Sequence, residues 1–240
     1  VTPGWLVVFA RRPAPGRVKT RLCPPLSPDE AAALYRCLLD DVLEESARAA
    51  RVLGLAPVVA VDPEDARAEL AVGAPPGFRA IAQRGPDLGA RMRHAVLQAA
   101  AAGAPCALLR GSDSPALALA ALREGLGALA RADLALSPDR DGGYGLVALG
   151  PRALLRSAAL FDHPMSTPSV LDDTTRGAEG LGLRVALVAP GFDVDRYEDL
   201  RQLAAARHGN ETLACPRTLA WLDAHGLWPG APAARGAGSA

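Results

Sequence analysis

The sequence predicts an α/β protein, a single domain built on a mostly parallel twisted sheet with helices on both faces. Two observations carry that expectation. Short apolar runs alternate with longer stretches of helical periodicity along the chain, the order produced by strands joined through crossover helices. The residues able to do chemistry gather just after those short runs, at the sheet edge where ligands collect in such folds. Size agrees: 240 residues, half of them apolar, suffice for one core and are short for two.

Strands are expected at 5–9 (WLVVF), 56–61 (APVVAV), 78–83 (FRAIAQ), 105–110 (PCALLR), 133–137 (DLALS), 144–149 (YGLVAL) and 183–189 (LRVALVA). The first helix has the clearest start. Ser27 can cap it, Pro28 suits its first turn and Glu30 can close a capping box ahead of a long helical run. A second opens at Asp87-Leu88-Gly89, with Leu88, Met92, Ala95, Val96 and Ala99 on one face. Pro115 is expected to begin a third and Thr167-Pro168 a fourth, and 199–207 and 217–225 read as C-terminal helices. The folded unit is expected over residues 1–226, and 227–240, small and polar with little to bury, reads as a mobile tail.

Twenty-six basic residues balance twenty-six acidic ones, so no net field gathers nucleic acid. The apolar runs fall well short of the about 20 residues a membrane span requires, and no secretion signal is visible at the start. A cytoplasmic protein without nucleic-acid or membrane partners is expected. The four cysteines lie far apart without a C-x-x-C, which argues against a zinc site or disulfide framework.

Five segments carry the chemistry. After the first strand, residues 10–22 bring together Arg11, Gly16, Arg17, Lys19, Thr20 and Arg21, a cationic loop suited to a di- or triphosphate. Lys19 is the only lysine in the chain, and a compact ammonium can follow a phosphoryl group whose geometry changes. Pro13 and Val18 stand where a P-loop needs glycines, so Walker-type chemistry is disfavoured. After the third strand, Gln83, Gly85, Asp87, Leu88 and Gly89 form either a nucleobase pocket or a tight turn with a helix cap. The fourth strand ends at Gly111-Ser112-Asp113-Ser114-Pro115, where Asp113 is a metal ligand for hard cations or a helix cap. Asp141, Gly142, Gly143 and Tyr144 suit either an acceptor contact or a plain hairpin turn. Asp193 and Asp195, two apart in an extended segment, point the same way and offer a second metal-binding carboxylate.

Six stretches in order, PGRVKTRL at 15–22, QRGPDLGARM at 83–92, GSDSP at 111–115, DGGYGLVALG at 141–150, MSTPSVL at 165–171 and DVDRYEDL at 193–200, resemble a bacterial family of transferases. That family has the nucleotide-diphospho-sugar transferase (GT-A-like) fold, and its members are called glycosyltransferase-like or selenodomain-associated transferases. It is similar in turn to molybdenum-cofactor guanylyl- and cytidylyltransferases and to phospholactate guanylyltransferases. The resemblance implies Arg17, Lys19 and Arg21 as triphosphate ligands, Gly85 and Leu88 at the base, and Asp113 with Asp195 on Mg2+ or Mn2+. Acceptor contacts are expected at 141–144, Ser166 and Thr167, and catalytic roles for Arg17, Lys19 and Asp113. The glycine-rich loop of the molybdenum-cofactor enzymes is missing. Nucleotidyl transfer from a nucleoside triphosphate to a small acceptor, with pyrophosphate release, is the expected activity. Glycosyl transfer from a nucleotide sugar is the alternative, and a non-catalytic nucleotide-binding module a third possibility.

Overall fold

The computed structural model describes residues 2–115, 117–165, 167–209 and 213–229. Seven strands, β1 (Gly4–Arg11), β2 (Leu55–Asp62), β3 (Arg79–Ala82), β4 (Ala107–Arg110), β5 (Leu134–Pro138), β6 (Tyr144–Leu149) and β7 (Val185–Leu187), form one sheet in the order β3-β2-β1-β4-β6-β5-β7. Only β6 runs against its neighbours β4 and β5; every other pairing is parallel. β1, β2 and β4 read as nearly continuous apolar runs because helices cover both of their faces.

Among the described residues, eight α-helices surround the sheet. Helix α1 (Pro28–Leu53) is the longest and begins with the expected capping box: the Ser27 hydroxyl accepts from the Glu30 amide and the Glu30 carboxylate accepts from the Ser27 amide. Gly54, in the left-handed region, ends it. Helix α3 (Leu88–Ala101) is capped by Asp87, whose carboxylate accepts from the Ala90 amide at 2.7 Å. The apolar faces of α3 and α5 (Pro151–Leu160) pack on one side of the sheet with Trp5, Val7, Leu109 and Val147, and α1 packs on the other with Val8, Val59 and Val61. A separate cluster docks α7 (Asp199–His208) and α8 (Pro216–His225) on α1 through Leu34, Leu38, Leu203 and Leu222. Buried Asp41 of α1 accepts from the Arg217 and Thr218 amides, capping α8 from outside its own chain segment.

The structure departs from the sequence expectation in four helices. α2 (Arg67–Gly73) and α5 were not anticipated. α4 (Leu119–Ala128) starts four residues after Pro115, because loop carbonyls before it are taken by Arg110, whose guanidinium donates to Ser114 O and Leu117 O at 2.9 Å each. α6 (Val170–Gly180) follows a turn closed by the Val170 amide on Thr167 O. No described helix is long and apolar enough to cross a membrane. Ser166 and residues 230–240 of the expected tail lie outside the described residues.

Candidate active site

Lys19 is the centre of the site. Its side chain is 5% exposed, with the ammonium 2.7 Å from Asp113 Oδ2 and 3.6 Å from Asp195 Oδ1. Arg21 closes the outer side at 2.7 Å from Asp195 Oδ2. Three separated loops, after β1, after β4 and ahead of α7, therefore converge on one point. Lys19 is also the one described non-glycine residue with positive φ, at 49°. A lysine gains nothing locally from that left-handed conformation, and strain of this kind collects at functional sites. It turns the side chain inward at the head of a short 3-10 turn, Thr20–Leu22, while Gly16 and Arg17 stay exposed on the preceding turn.

Burial works against charge on Lys19, but Asp113 and Asp195 outweigh it and hold its pKa above the ordinary lysine value. Asp195 responds in the opposite sense: burial would raise its pKa, and Lys19 and Arg21 bring it below the usual carboxylate range. Behind them stand two acids in different circumstances. Asp193, bonded to the Ser114 hydroxyl, has its pKa pushed well above the usual carboxylate range by burial and by Asp113 and Asp139. Asp139 beside it is pushed up by burial and by Asp141 and Asp113, and its Oδ2 is buried without a protein donor.

The supporting frame is buried and polar. Tyr35 of α1 accepts from the Arg11 amide at 2.9 Å and shares a hydrogen bond with Ser112 Oγ at 2.8 Å, joining the loops after β1 and β4. The Val194 amide donates to Asp113 O at 3.0 Å, so the backbone between Asp193 and Asp195 is fastened to the Asp113 loop. Val194 itself is fully buried, which leaves both acids on the face opposite to it, as the alternation in the sequence predicts. Arg110, 3% exposed, threads beneath that loop, and burial lowers its pKa to about 10, which keeps it charged at neutral pH.

The remaining expected site residues divide by what their polar groups already do. Gln83 donates to Ala10 O and Ala60 O at 3.0 and 2.9 Å, tying β1 to β2. Asp87 is spent as the α3 cap. Gly85 has φ +136°, and a Cβ there would stand 2.5 Å from the Ala90 Cβ; a Cβ on Gly89 would meet Phe161 O at 2.6 Å. Both glycines thus answer to packing inside the protein. Leu88, 43% exposed, is the apolar surface at this edge. Arg11 lies 3.5 Å from Asp62, which Arg91 also holds at 2.8 Å.

The 139–143 turn is a hairpin, the plainer of its two readings, and it lies at the same sheet edge. Asp139 N donates to Gly143 O, and Asp141 accepts from the Gly143 amide at 2.9 Å. Gly142 packs against the Pro168 carbonyl so closely that any Cβ would overlap it, and the Leu171 amide donates to Gly142 O. Tyr144 is mostly buried, with its hydroxyl beside Thr174, and Thr167 bonds to Ser169. Of this group Asp141 keeps an exposed carboxylate.

Tyr35, Ser112, Ser114, Arg110 and Asp139 were missed as site residues. The single detectable signal was polarity within otherwise apolar segments, as at Arg110 after ALL and Tyr35 inside AAALYRCLL.

The architecture is that of nucleotide-diphospho-sugar transferases and nucleotidyltransferases. The chain belongs to the bacterial family described as "Uncharacterized protein conserved in bacteria (DUF2064)", whose profile matches residues 45–167. That span includes Asp113 and the 139–143 hairpin and leaves Lys19 and Asp195 outside. Among curated proteins, phosphoenolpyruvate guanylyltransferase of Sphaerobacter thermophilus is 33% identical over 187 residues, 78% of this chain and 86% of that protein. A crystal structure from Desulfovibrio desulfuricans, provisionally assigned as a nucleotide-diphospho-sugar transferase, superposes with TM-score 0.80 at 28% identity, covering 93% of this chain and 96% of that one. A Leptospira borgpetersenii cytidylyltransferase shares the fold at TM-score 0.58 and 12% identity, covering 96% and 98%.

Proposed function

We propose that this chain is a metal-dependent nucleotidyltransferase, moving a nucleoside monophosphate from its triphosphate to a small phosphorylated or hydroxyl acceptor. The observation that carries the reading is the buried Lys19 ammonium between Asp113 and Asp195, with Arg21 on the outer side of Asp195. In this reaction an acceptor oxygen attacks the α-phosphorus, the bond from that phosphorus to the bridging oxygen breaks, and pyrophosphate leaves with the electron pair. Such transfer needs positioning and charge stabilisation more than a protein nucleophile. Lys19 and Arg21 stabilise charge on the phosphate oxygens, Arg17 holds the outer phosphates, and Leu88 with the 85–89 backbone lines the base. The hairpin at 141–144 and the neighbouring Thr167 face the acceptor, with the exposed Asp141 carboxylate, one oxygen of which holds the Gly143 amide, as its polar group.

The donor set suits a divalent cation. Asp113, Asp193 and Asp195 crowd one buried ammonium, and Asp139 stands against Asp193 with its buried Oδ2 free of any N–H donor. No three His, Cys, Asp or Glu side chains among the described residues form a complete ligand group. Mg2+ usually takes one or two carboxylates and completes its shell with water and substrate phosphate oxygens. Asp113 and Asp195 would hold Mg2+ or Mn2+, which neutralises phosphate charge when bound.

The guanylyltransferase relative directs the first substrates to try, GTP with phosphoenolpyruvate as acceptor. A cytoplasmic enzyme working on small metabolites as one unit over residues 1–226 fits the balanced charge. The test is to incubate the protein with Mg2+, each of the four nucleoside triphosphates and phosphoenolpyruvate or other small acceptors, scoring pyrophosphate. Parallel incubations with nucleotide sugars score nucleoside diphosphate, since the likeness to the D. desulfuricans protein favours glycosyl transfer as the second reading. Acceptor-dependent pyrophosphate release that stops with EDTA supports the proposal; nucleoside diphosphate release from a sugar nucleotide, without pyrophosphate from any triphosphate, overturns it.

A further inference from the structure

A cleft outside the Lys19 site lies at the β3 edge of the sheet. It holds about 490 Å3 and runs between α2 and α3. That volume lies within the range typical of small-molecule sites. Arg67 of α2, Arg79 on β3, Arg84 just past β3 and His94 and Gln98 of α3 line it, with Ile81 in the floor.

The charge of this cleft is one-sided. No carboxylate belongs to its lining. The neighbouring acid Glu64 is taken by Arg84 at 2.8 Å. Arg67 and Arg79 form no ion pair with any described acid. Arg79 is also held in place, its guanidinium 4.6 Å over the buried Trp5 ring. Arg67 and Arg79 bring two guanidiniums without a described ionic partner to one concavity, with Arg84, held by Glu64, beside them, and an oxyanion can accept their paired N–H groups. Gln98 and His94, in hydrogen-bonding contact with each other, add polar groups on one wall, and as an edge strand β3 presents unpaired main-chain groups. At four residues, β3 is short for templating an added strand, which favours a compact ligand over an extended peptide.

We infer that this cleft is a second binding site, for a small multivalent oxyanion such as a phosphorylated or polycarboxylate metabolite, gripped by Arg67, Arg79 and Arg84. It is independent of the transferase reading, and its test requires no turnover.

Inorganic tripolyphosphate in EDTA is the first probe and citrate the second, titrated into the full chain with isotope-labelled histidine. The His94 imidazole, identified by its loss in His94→Gln, reports on this wall alone. A saturable movement of the His94 signal is expected, weakened about tenfold or more in Arg67→Gln/Arg84→Gln with an unchanged circular dichroism spectrum. Should the double variant fold poorly, Arg67→Gln alone serves. Tighter tripolyphosphate than citrate assigns a phosphate ligand and the reverse a polycarboxylate, each in support. A His94 signal that stays still through millimolar probe, or equal affinity in the arginine variants, overturns the site.

Discussion

Replacing Lys19 by methionine removes the charge and keeps an unbranched stem of similar length. At an effective dielectric of about 20, unit charges 2.7 Å and 3.6 Å apart attract by about 6 and 5 kcal/mol before any desolvation cost. Most of this is offset by burying the ammonium. The two acids, 27% and 44% exposed, can recover water once it is gone. The net stability loss should therefore approach that of one charged hydrogen bond, about 1.5–3 kcal/mol, or roughly 3–12 °C in Tm for a chain of this size. Activity should suffer differently. Losing one preorganised donor to developing charge typically costs about 10²–10³ in kcat, and pyrophosphate release should fall by that amount at saturating substrates and at a temperature where both proteins are folded. A Lys19→Met rate within threefold of the parent would show that this ammonium does not serve the reaction.

Other consequences can be measured alongside it. Asp193 binds its proton more tightly in the folded protein than in the unfolded chain, so raising the pH from the ordinary carboxylate range through its raised value removes stability. Asp193→Asn, which keeps an acceptor for Ser114, should melt several degrees higher than the parent at neutral pH, with the advantage vanishing near pH 4, while turnover drops; a constant Tm difference from pH 4 to 8 would contradict this. Asp41→Ala frees the buried α8 amides and should cost about 2–3 kcal/mol in denaturant unfolding, with turnover per folded molecule unchanged. Gly142→Ala drives a methyl into the Pro168 carbonyl at φ +88°, so the acceptor KM should rise more than the triphosphate KM; equal changes in both would detach the hairpin from the acceptor.

The sheet was legible because its strands are nearly uninterrupted apolar runs, and the start of α1 because Ser27, Pro28 and Glu30 each supply a separate local cause. Signals with two possible owners misled. Pro115 after Ser114 has the form of a helix start, yet the Ser114 hydroxyl goes to Asp193 and its carbonyl to Arg110, choices made 79 residues and 4 residues away. Gly150-Pro151 opens α5 with Ala153, Leu154, Ser157 and Leu160 at helical spacing, a pattern readable in the sequence that went unread. At the site, Lys19, Asp113 and Asp195 were identifiable as the unusual residues after strands. Tyr35, Arg110 and Asp139 were not, since a buried hydroxyl or guanidinium looks like any other in an arginine-rich chain. Asp87, expected at the nucleotide, also meets a local demand as the cap of the α3 amides.

The reversal of β6 has an outcome for how such a protein can diversify. A strand entering against its neighbours begins where they finish, so the 139–143 bend opens beside the ends of β1 and β4. Length or composition there can drift while the lysine-bearing loop, fastened through Tyr35 and Ser112, keeps its form. New partners for an old reaction can thus be recruited by editing a single hairpin tip.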